Sequence, residues 1–405
     1  MDFNDTPAEA EYRAKARAWL EEAAAEYRNP PARPWNTQEF LQLSKDWQLQ
    51  KYQAGYAGIT WPKAAGGQGL TPMHSIIFGQ EEGRFHAPVG LYAIGLGMCV
   101  PTVFQHGSKA ITERYVAKAL CGEEVWCQLF SEPVAGSDLA SIRTRAVRDG
   151  DDWIINGQKV WTTNAHLSDF GIIITRTDFD APKHKGLTMF IVDMHAPGVE
   201  AKPIKQMSGA SGFNEVFFTD VRIKDSHRLG DVGNGWAVSL TTLMRERLAV
   251  GGKPSNTPGY HTLLELARHI ETADGPAINR ADVRNRIAQT WINDRGVTLT
   301  QMRAQSALSK GEAPGPEQSI SKVLVAKTMQ DMTAFALDLA EGSGFAAPPG
   351  SDLEVLQGSY LSAAGLRIAG GTDEILRNII AERVLGLPGD LRPDKNTPFS
   401  EIEPL

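Results

Sequence analysis

The stretch Leu243–Gly252, LMRERLAVGG, sets one carboxylate, Glu246, between Arg245 and Arg247 on an otherwise apolar run that ends in two glycines. Neighbouring residues on a helix point about 100° apart, so Glu246 can face inward while Arg245 faces out. The two nearby cations lower the cost of an ionised carboxylate. Glu246 is therefore either a solvated surface charge or a general base. Two further stretches carry residues of the right type for a ligand site. EPVAGSD, residues 132–138, is a turn whose small residues, Gly136 and Ser137 among them, let a ligand approach the backbone, although an ordinary β-turn has the same composition. GGTDE, residues 370–374, precedes a helical run; exposed N–H groups at a helix start attract anions, and Thr372 with Asp373 or Glu374 could equally cap the helix.

Other common chemistries lack their signatures. A dinucleotide-binding crossover needs GxGxxG between a strand and a helix. The nearest match, GSGFAA at 342–347, follows a helical run and leads into PPG. No P-loop, HExxH or GxSxG is present, which removes the usual phosphoryl-transfer, zinc-hydrolase and serine-hydrolase readings.

The elements that must position these residues fall into three textures. From residue 7 to about 120 the pattern is helical, with Tyr12, Ala16, Trp19 and Leu20 at helical spacing and a Pro/Gly-bearing ordered loop at ITWPKAAGGQGLTP. After Glu124, the runs WIINGQKVWTTNA, FGIIITRTD, LTMFIVDM and NEVFFTDVRI are β-branched or aromatic and separated by Asp/Gly/Asn turns, which predicts antiparallel strands. Helix returns at NGWAVSLTTLMRERLAV, with Asn234 as N-cap, and continues in long amphipathic segments that suggest an up-down bundle, with GEAPGPEQ at 311–318 as a polar interhelical loop. The expected domains are 1–124 helical, 125–232 β and 233–405 helical bundle, an α+β architecture, with the tail LPGDLRPDKNTPFSEIEPL extended or frayed.

The 405 residues, 42% hydrophobic and 22% charged, can bury a sizeable core. A net charge of −7 without a long basic run disfavours nucleic-acid and anionic-membrane partners, and no run approaches a membrane span. Three cysteines without CxxC argue against a disulfide framework or a zinc site, so no metal is expected. The charged, helical N-terminus lacks a signal-peptide core, and a reducing cytoplasmic setting is expected.

CQLFSEPVAGSDLASIRTRAVRDGDDWIINGQKVWTTNA, residues 127–165, resembles the flavin-contacting signature of the acyl-CoA dehydrogenase family. GITWPKAAGGQGLTP, GNGWAVSLTTLMRERLAVGG and GGTDEILRNIIAERVLGLP extend the resemblance over nearly the whole chain, in the family's order and spacing. It implies an N-terminal helical domain, a central β-domain, a C-terminal four-helix bundle, and FAD held between them and across a subunit interface of a homo-oligomer, a dimer or tetramer. A flavin ring is planar with donors and acceptors along one edge, so its pocket needs backbone groups, small hydroxyls and flat apolar walls. The resemblance puts Phe130 and Ser131 against the ring with Gln128 beside them, Trp161 and Thr163 of VWTT over its far side and N5 region, and Thr372 and Glu374 at the pyrophosphate. Taken alone, Trp161 reads equally as a core aromatic. Gly136 and Ser137 would border the thioester and pantetheine, with Arg247 and Gly370 beside the substrate; Val134 stands where the family more often has Gly. The family's Arg-x-x-Phe-Gly flavin contact is not evident in ELARHIETADGPAINRADVRNRI, so no residue is assigned to the adenosine.

In the straight-chain branch of the family the residue before Gly-Thr is the glutamate that removes the substrate α-proton; here that place is Gly370. A second branch, similar to isovaleryl- and long-chain-type enzymes, supplies it from the helix after the β-domain in a Glu-Arg-Leu context, which Glu246-Arg247-Leu248 matches. The implied reaction is α,β-desaturation of an acyl-CoA thioester, with the α-proton taken by Glu246, the β-hydride passed to flavin N5, the thioester oxygen bonded by a ribityl hydroxyl and a main-chain N–H, and an electron-transfer flavoprotein as oxidant. A flavin-dependent desulfinase or oxidase on the same scaffold, and a non-catalytic subunit of a heteromeric dehydrogenase, are the alternatives.

Overall fold

The computed structural model describes residues 5–28, 38–250, 258–273, 275–309, 315–392 and 394–402, the side chains at 245–250, 308–309 and 345 excepted. The chain forms two compact units, one of residues 12–249 with 390–405 and the other built on 250–389.

In the first unit, α1 (Pro7–Ala23) presents the stripe read from the sequence. Ala16 and Leu20 are buried with Trp47 and Phe78, contributed by α2 (Gln38–Gln53) and α3 (Pro72–Glu82). Trp19 stacks on Trp47 at 5.5 Å between ring centroids. An ionic knot fastens the same helices, since the Glu81 carboxylate accepts from Arg17 at 2.9 Å, and Arg13 and Arg84 each lie at 3.1 Å. Helices α4 (Val100–His106) and α5 (Lys109–Leu120) cover one face of the β-sheet.

The strands are β1 (Trp126–Leu129), β2 (Arg145–Asp149), β3 (Asp152–Thr163), β4 (Phe170–Arg176), β5 (Leu187–Asp193), β6 (Val199–Ile204), β7 (Phe213–Lys224) and β8 (Arg228–Leu229). Their order is β6-β7-β3-β2-β4-β5-β8, with β1 also paired to β4. Side chains alternate faces along a strand. Accordingly Ile172, Ile174, Met189 and Ile191 pack with the helices, and Ile173, Phe190 and Val192 pack on the opposite face with Trp153 and Phe218. Burial on both faces is why FGIIIT and LTMFIV read as unbroken apolar runs.

The expectation of an antiparallel domain needs correction. β1 runs parallel to β4, with Trp126 opposite Phe170, and β2 meets β4 in parallel at Arg145 and Arg176. Parallel partners require a long connection, and the β2–β3 hairpin with its flanking loops supplies it between β1 and β4. The start of the tail, 387–392, is exposed and without regular structure as read, but its later part departs from the extended or frayed reading. Phe399 is 3% exposed, its N–H donates to the Ala181 carbonyl at 3.0 Å, and that of Ser400 to Phe179 at 2.8 Å.

Helix α6 (Gly235–Val250) starts directly after Asn234. The second unit contains α7 (Tyr260–His269), α8 (Ala281–Ser309), α9 (Gln318–Leu339), the short α10 (Gly342–Phe345), α11 (Asp352–Ile368) and α12 (Asp373–Ile379). Its core gathers Leu263, Ala267, Val283, Ile287, Met332, Ala336 and Leu356. Half of the interhelical loop expected at 311–318, residues 311–314, lies outside the described residues. Among the described residues no helix is long and apolar enough to cross a membrane.

Candidate active site

The ends of β1 and β3 meet where the sequence placed the flavin-type residues. The Val160 N–H donates to the Ser131 carbonyl at 2.9 Å, bringing Ser131 beside Trp161. Between Lys159 and Thr162 the ladder to β7 slips, so Val160 and Trp161 together face the single residue Glu215. Two residues opposite one make a β-bulge, which turns a side chain out of its regular place. Trp161 takes a left-handed backbone at φ +59°, and its side chain is 58% exposed, with its edge against Phe213 at 6.0 Å. That exposure excludes the core-aromatic reading. A left-handed bulky residue stores strain that the surrounding structure must hold.

Gln128 is half-buried in β1 and Phe130 is buried. Ser131 and Thr163 are half-buried, and their hydroxyls form no hydrogen bond among the described residues. A flat exposed indole, unengaged hydroxyls and a strand-end backbone therefore lie close together at the bulge.

Sequence reasoning missed what fixes this convergence. Lys159, fully buried, donates from Nζ to the Phe130 carbonyl at 3.0 Å and to Glu132 Oε1 at 2.9 Å. Glu132 also accepts from the backbone N–H groups of Thr144 at 2.9 Å and Arg143 at 2.6 Å. Burial pushes the Glu132 carboxyl up, but the Lys159 charge and these donors outweigh it and hold the carboxyl below its ordinary range. Burial draws the Lys159 ammonium down, against the pull of Glu132. The signal was present in the sequence as the charges of SEP and GQKVW, but periodicity does not announce a lysine pointing inward.

The turn after Glu132 closes with reciprocal backbone bonds between Glu132 and Ala135, both 3.0 Å, and leaves Val134, Gly136 and Ser137 exposed. Asp138 then accepts from Lys183 Nζ at 3.0 Å. Helix α6 is fastened to α4 by two side-chain bonds, Thr242 to Thr102 at 2.9 Å and Thr241 to His106 at 2.8 Å. Burial lowers the His106 pKa, favouring the neutral ring. The Glu246 and Arg247 side chains lie outside the described residues, so their sequence assignments rest on position in α6 alone.

In the second unit, Gly370 and Gly371 are both left-handed, at φ +67° and +89°, a conformation that glycine adopts without a Cβ penalty. Thr372 caps α12, its hydroxyl accepting from the Ile375 N–H at 3.2 Å, which is the capping reading of GGTDE. Glu374 is exposed. Asp373, read from the sequence only as a possible cap, is 1% exposed and binds Arg367 Nε at 2.7 Å, while Lys322 Nζ donates to the Gly371 carbonyl at 2.7 Å. Thus Gln128, Phe130, Ser131, Trp161 and Thr163 come together in one unit, and Gly370, Thr372 and Glu374 in the other.

The domain models of acyl-CoA dehydrogenases match in order, the N-terminal domain at residues 6–123, the middle domain at 127–221 and the C-terminal domain at 233–385. The acyl-CoA dehydrogenase IpdE1 of Mycobacterium tuberculosis is 37% identical over 391 residues, covering 94% of this chain and 98% of that protein. The chain belongs to the acyl-CoA dehydrogenase family. Mitochondrial isovaleryl-CoA dehydrogenase of Pongo abelii is 34% identical over 220 residues, 53% of this chain and 52% of its own. A solved structure described as the Tcur3481-Tcur3483 steroid ACAD superposes with a TM-score of 0.80 at 26% identity, covering 96% of this chain and all of its own. The family's three-part architecture, with helical N- and C-terminal domains around a β-domain, is the fold of this chain.

The enzyme is accordingly an FAD-dependent acyl-CoA dehydrogenase. The residues at the bulge fit that cofactor, because a planar ring system with polar edges is matched by an exposed indole and unengaged hydroxyls in a way that a packed sheet surface is not.

Proposed function

We propose that this dehydrogenase removes the α-proton of its acyl-CoA with Glu246. The observation that carries the reading is Gly370, a glycine held at φ +67° in the position from which the straight-chain branch supplies its base. Glu246 stands in the Glu-Arg-Leu context of the alternative position, and the likeness to isovaleryl-CoA dehydrogenase supports that branch. Residues four apart share one helix face. Thr242, four before position 246, is buried on the hydrogen bond to Thr102 that ties α6 to α4.

Neither C–H bond of the thioester is acidic enough to break unaided, so the site must stabilise an enolate-like transition state. Glu246 accepts the α-proton on a carboxylate oxygen, and exclusion of water raises its affinity for that proton. Bound FAD supplies the acceptor for the β-hydride. Phe130, Ser131, Trp161 and Thr163, with Gln128, hold the ring, the first unit's bulge providing the wall. Thr372 and Glu374 serve the phosphate end, and Gly136, Ser137, Arg247 and Gly370 border the substrate. The likeness to a steroid ACAD favours a bulky, ring-derived acyl group. An electron-transfer flavoprotein as oxidant, homo-oligomeric assembly, a cytoplasmic setting and domain boundaries near 124 and 232 complete the reading. The two-part name of that same structure favours, as a second reading, a heteromeric assembly in which this chain is one partner.

The test is Glu246→Gln, which keeps size and most hydrogen bonding but cannot take the proton. Anaerobic flavin bleaching by a good acyl-CoA should slow about 10²- to 10⁴-fold, the loss expected for a positioned general base, with FAD content and acyl-CoA binding retained. Adding Gly370→Glu should restore part of the rate. Bleaching at the wild-type rate in Glu246→Gln refutes the assignment.

A further inference from the structure

The C-terminal tail lies on the β-domain at the loop already read as bordering the substrate. Lys183 Nζ, 13% exposed, is shared between Asp138 of that loop at 3.0 Å and Asp394 of the tail at 2.7 Å. Five residues on, Phe399 is buried with its ring 3.7 Å beneath the Arg176 guanidinium and 5.2 Å from that of Arg143. Arg176 in turn donates to the carbonyls of Ala140 at 2.5 Å, Ile142 at 3.1 Å and Lys183 at 3.2 Å. Pro182 and Pro398 form a bridge between the two backbones, and Ser400 Oγ reaches Asp180 at 3.2 Å.

Both ends of residues 138–142 are thus held by cations that the tail itself caps. Arg176 is fully buried, and burial pulls its pKa down to about 10. Its Nη1 has no hydrogen-bond partner among the described residues, so the aromatic face of Phe399 is its nearest compensation on that side. Gly136 and Ser137 are exposed between buried Ala135, paired with Glu132, on one side and Asp138 with Ala140 on the other, so their freedom on the C-terminal side is set by Asp138 and Ala140.

We propose that the tail, residues 390–402, sets acyl-CoA affinity by holding the Gly136–Asp138 loop in place through Lys183 and Arg176, with Asp394 and Phe399 as positioning residues. The proposal rests on the reading that Gly136 and Ser137 border the thioester. A loop that occupies its binding position only part of the time lowers apparent affinity by that fraction, so a loop competent about a tenth of the time raises KM about tenfold. The chemical step in the bound complex is untouched.

The experiment compares Asp394→Asn, Phe399→Ala and their double variant with the wild-type holoenzyme. The substrate is whichever of butyryl-, isovaleryl-, palmitoyl- or a steroid-side-chain acyl-CoA bleaches the wild type fastest. Hydrogen exchange at the Phe399 and Ser400 amides reports tail release, and stopped-flow reduction separates KM from the limiting rate. Released tails should come with a KM raised about five- to fiftyfold, a limiting rate within about twofold and unchanged FAD content. A tail that is released while KM stays within about twofold of wild type overturns the proposal. So does a tail that stays protected in the double variant, because its docking is assigned to these two residues. Ser137→Ala separates the two readings. If it raises KM while the tail variants do not, the tail proposal fails alone; if neither changes KM, the placement of the loop at the thioester fails with it.

Discussion

Replacing Lys159 with Met keeps the length and apolar stem of the side chain and deletes its charge where the end of β1, the 132–138 loop and the bulge are fastened together. Glu132 would keep its two backbone donors but lose its counter-charge at 4% side-chain exposure. Removing one partner of a buried pair costs about 3–5 kcal/mol, because the surviving charge is left uncompensated in a poorly polarisable surrounding. The Phe130 carbonyl also loses its donor, which puts the sum towards the upper end of that range. For a unit of this size each kcal/mol moves the midpoint by about 2–4 °C, so the β-domain transition should fall by about 6–20 °C in calorimetry. Adding Glu132→Gln removes the stranded charge and should recover part of the loss, and the non-additivity of the cycle measures the pair itself. Release of the bulge should weaken FAD retention in both variants. A midpoint within about 2 °C of wild type for Lys159→Met, on the same scale, would show that the pair holds nothing in place.

Trp161→Ala should weaken FAD retention while leaving far-UV circular dichroism unchanged, since the indole is 58% exposed and carries little of the core; unaltered retention and flavin reactivity would remove Trp161 from the flavin site. Glu81 is held down to about 2, chiefly by its hydrogen bond to Arg17 and then by those to Arg13 and Arg84, against an ordinary value of 4.5. A carboxyl lowered by folding stabilises the native state above its unfolded value and loses that contribution as pH falls through the folded one. Wild type should therefore lose stability between about pH 5 and pH 2, and Glu81→Gln should be less stable at neutral pH with a flatter acid limb. Denaturant titrations across that window check both, and parallel acid limbs would refute the assignment.

The helices were legible in the sequence because burial imposes its period directly, as at Ala16 and Leu20, and α6 begins after Asn234 where capping chemistry put it. The strands were legible as runs, yet their pairing was not. Nothing local in WCQL tells whether its partner runs with it or against it, since β1 and β4 are joined only through the intervening hairpin. Of the site, the residue types at 128–131 and 161–163 were readable, whereas the bulge that exposes Trp161 was not, because VWTT carries no glycine at the left-handed position. The buried cations Lys159 and Arg176 and the docked Phe399 were missed for one reason. Each is stabilised by partners more than 15 residues away, and composition reads such residues as surface charge or loose tail.

The bulge at Trp161 has a counterpart on the opposite strand. Between Ile155 and Gly157 the same ladder slips the other way, where Thr219 and Asp220 of β7 face Asn156 and Asp220 takes φ +50°. The two slips cancel. Asp152 against Lys224 and Thr163 against Phe213 share one frame, and the stretch from Gly157 to Lys159 is offset from it by one residue. They behave as a pair of dislocations of opposite sign enclosing a short displaced segment that carries Lys159. Annealing only one would leave the far end of the strand a residue out of phase, turning Thr163 to the wrong side of the sheet. A lineage could lose the Trp161 bulge without that penalty by deleting one residue between Lys159 and Thr162, which keeps Thr163 opposite Phe213 and leaves the β7 bulge in place, so gaps in β3 should fall at this point and not elsewhere along the strand.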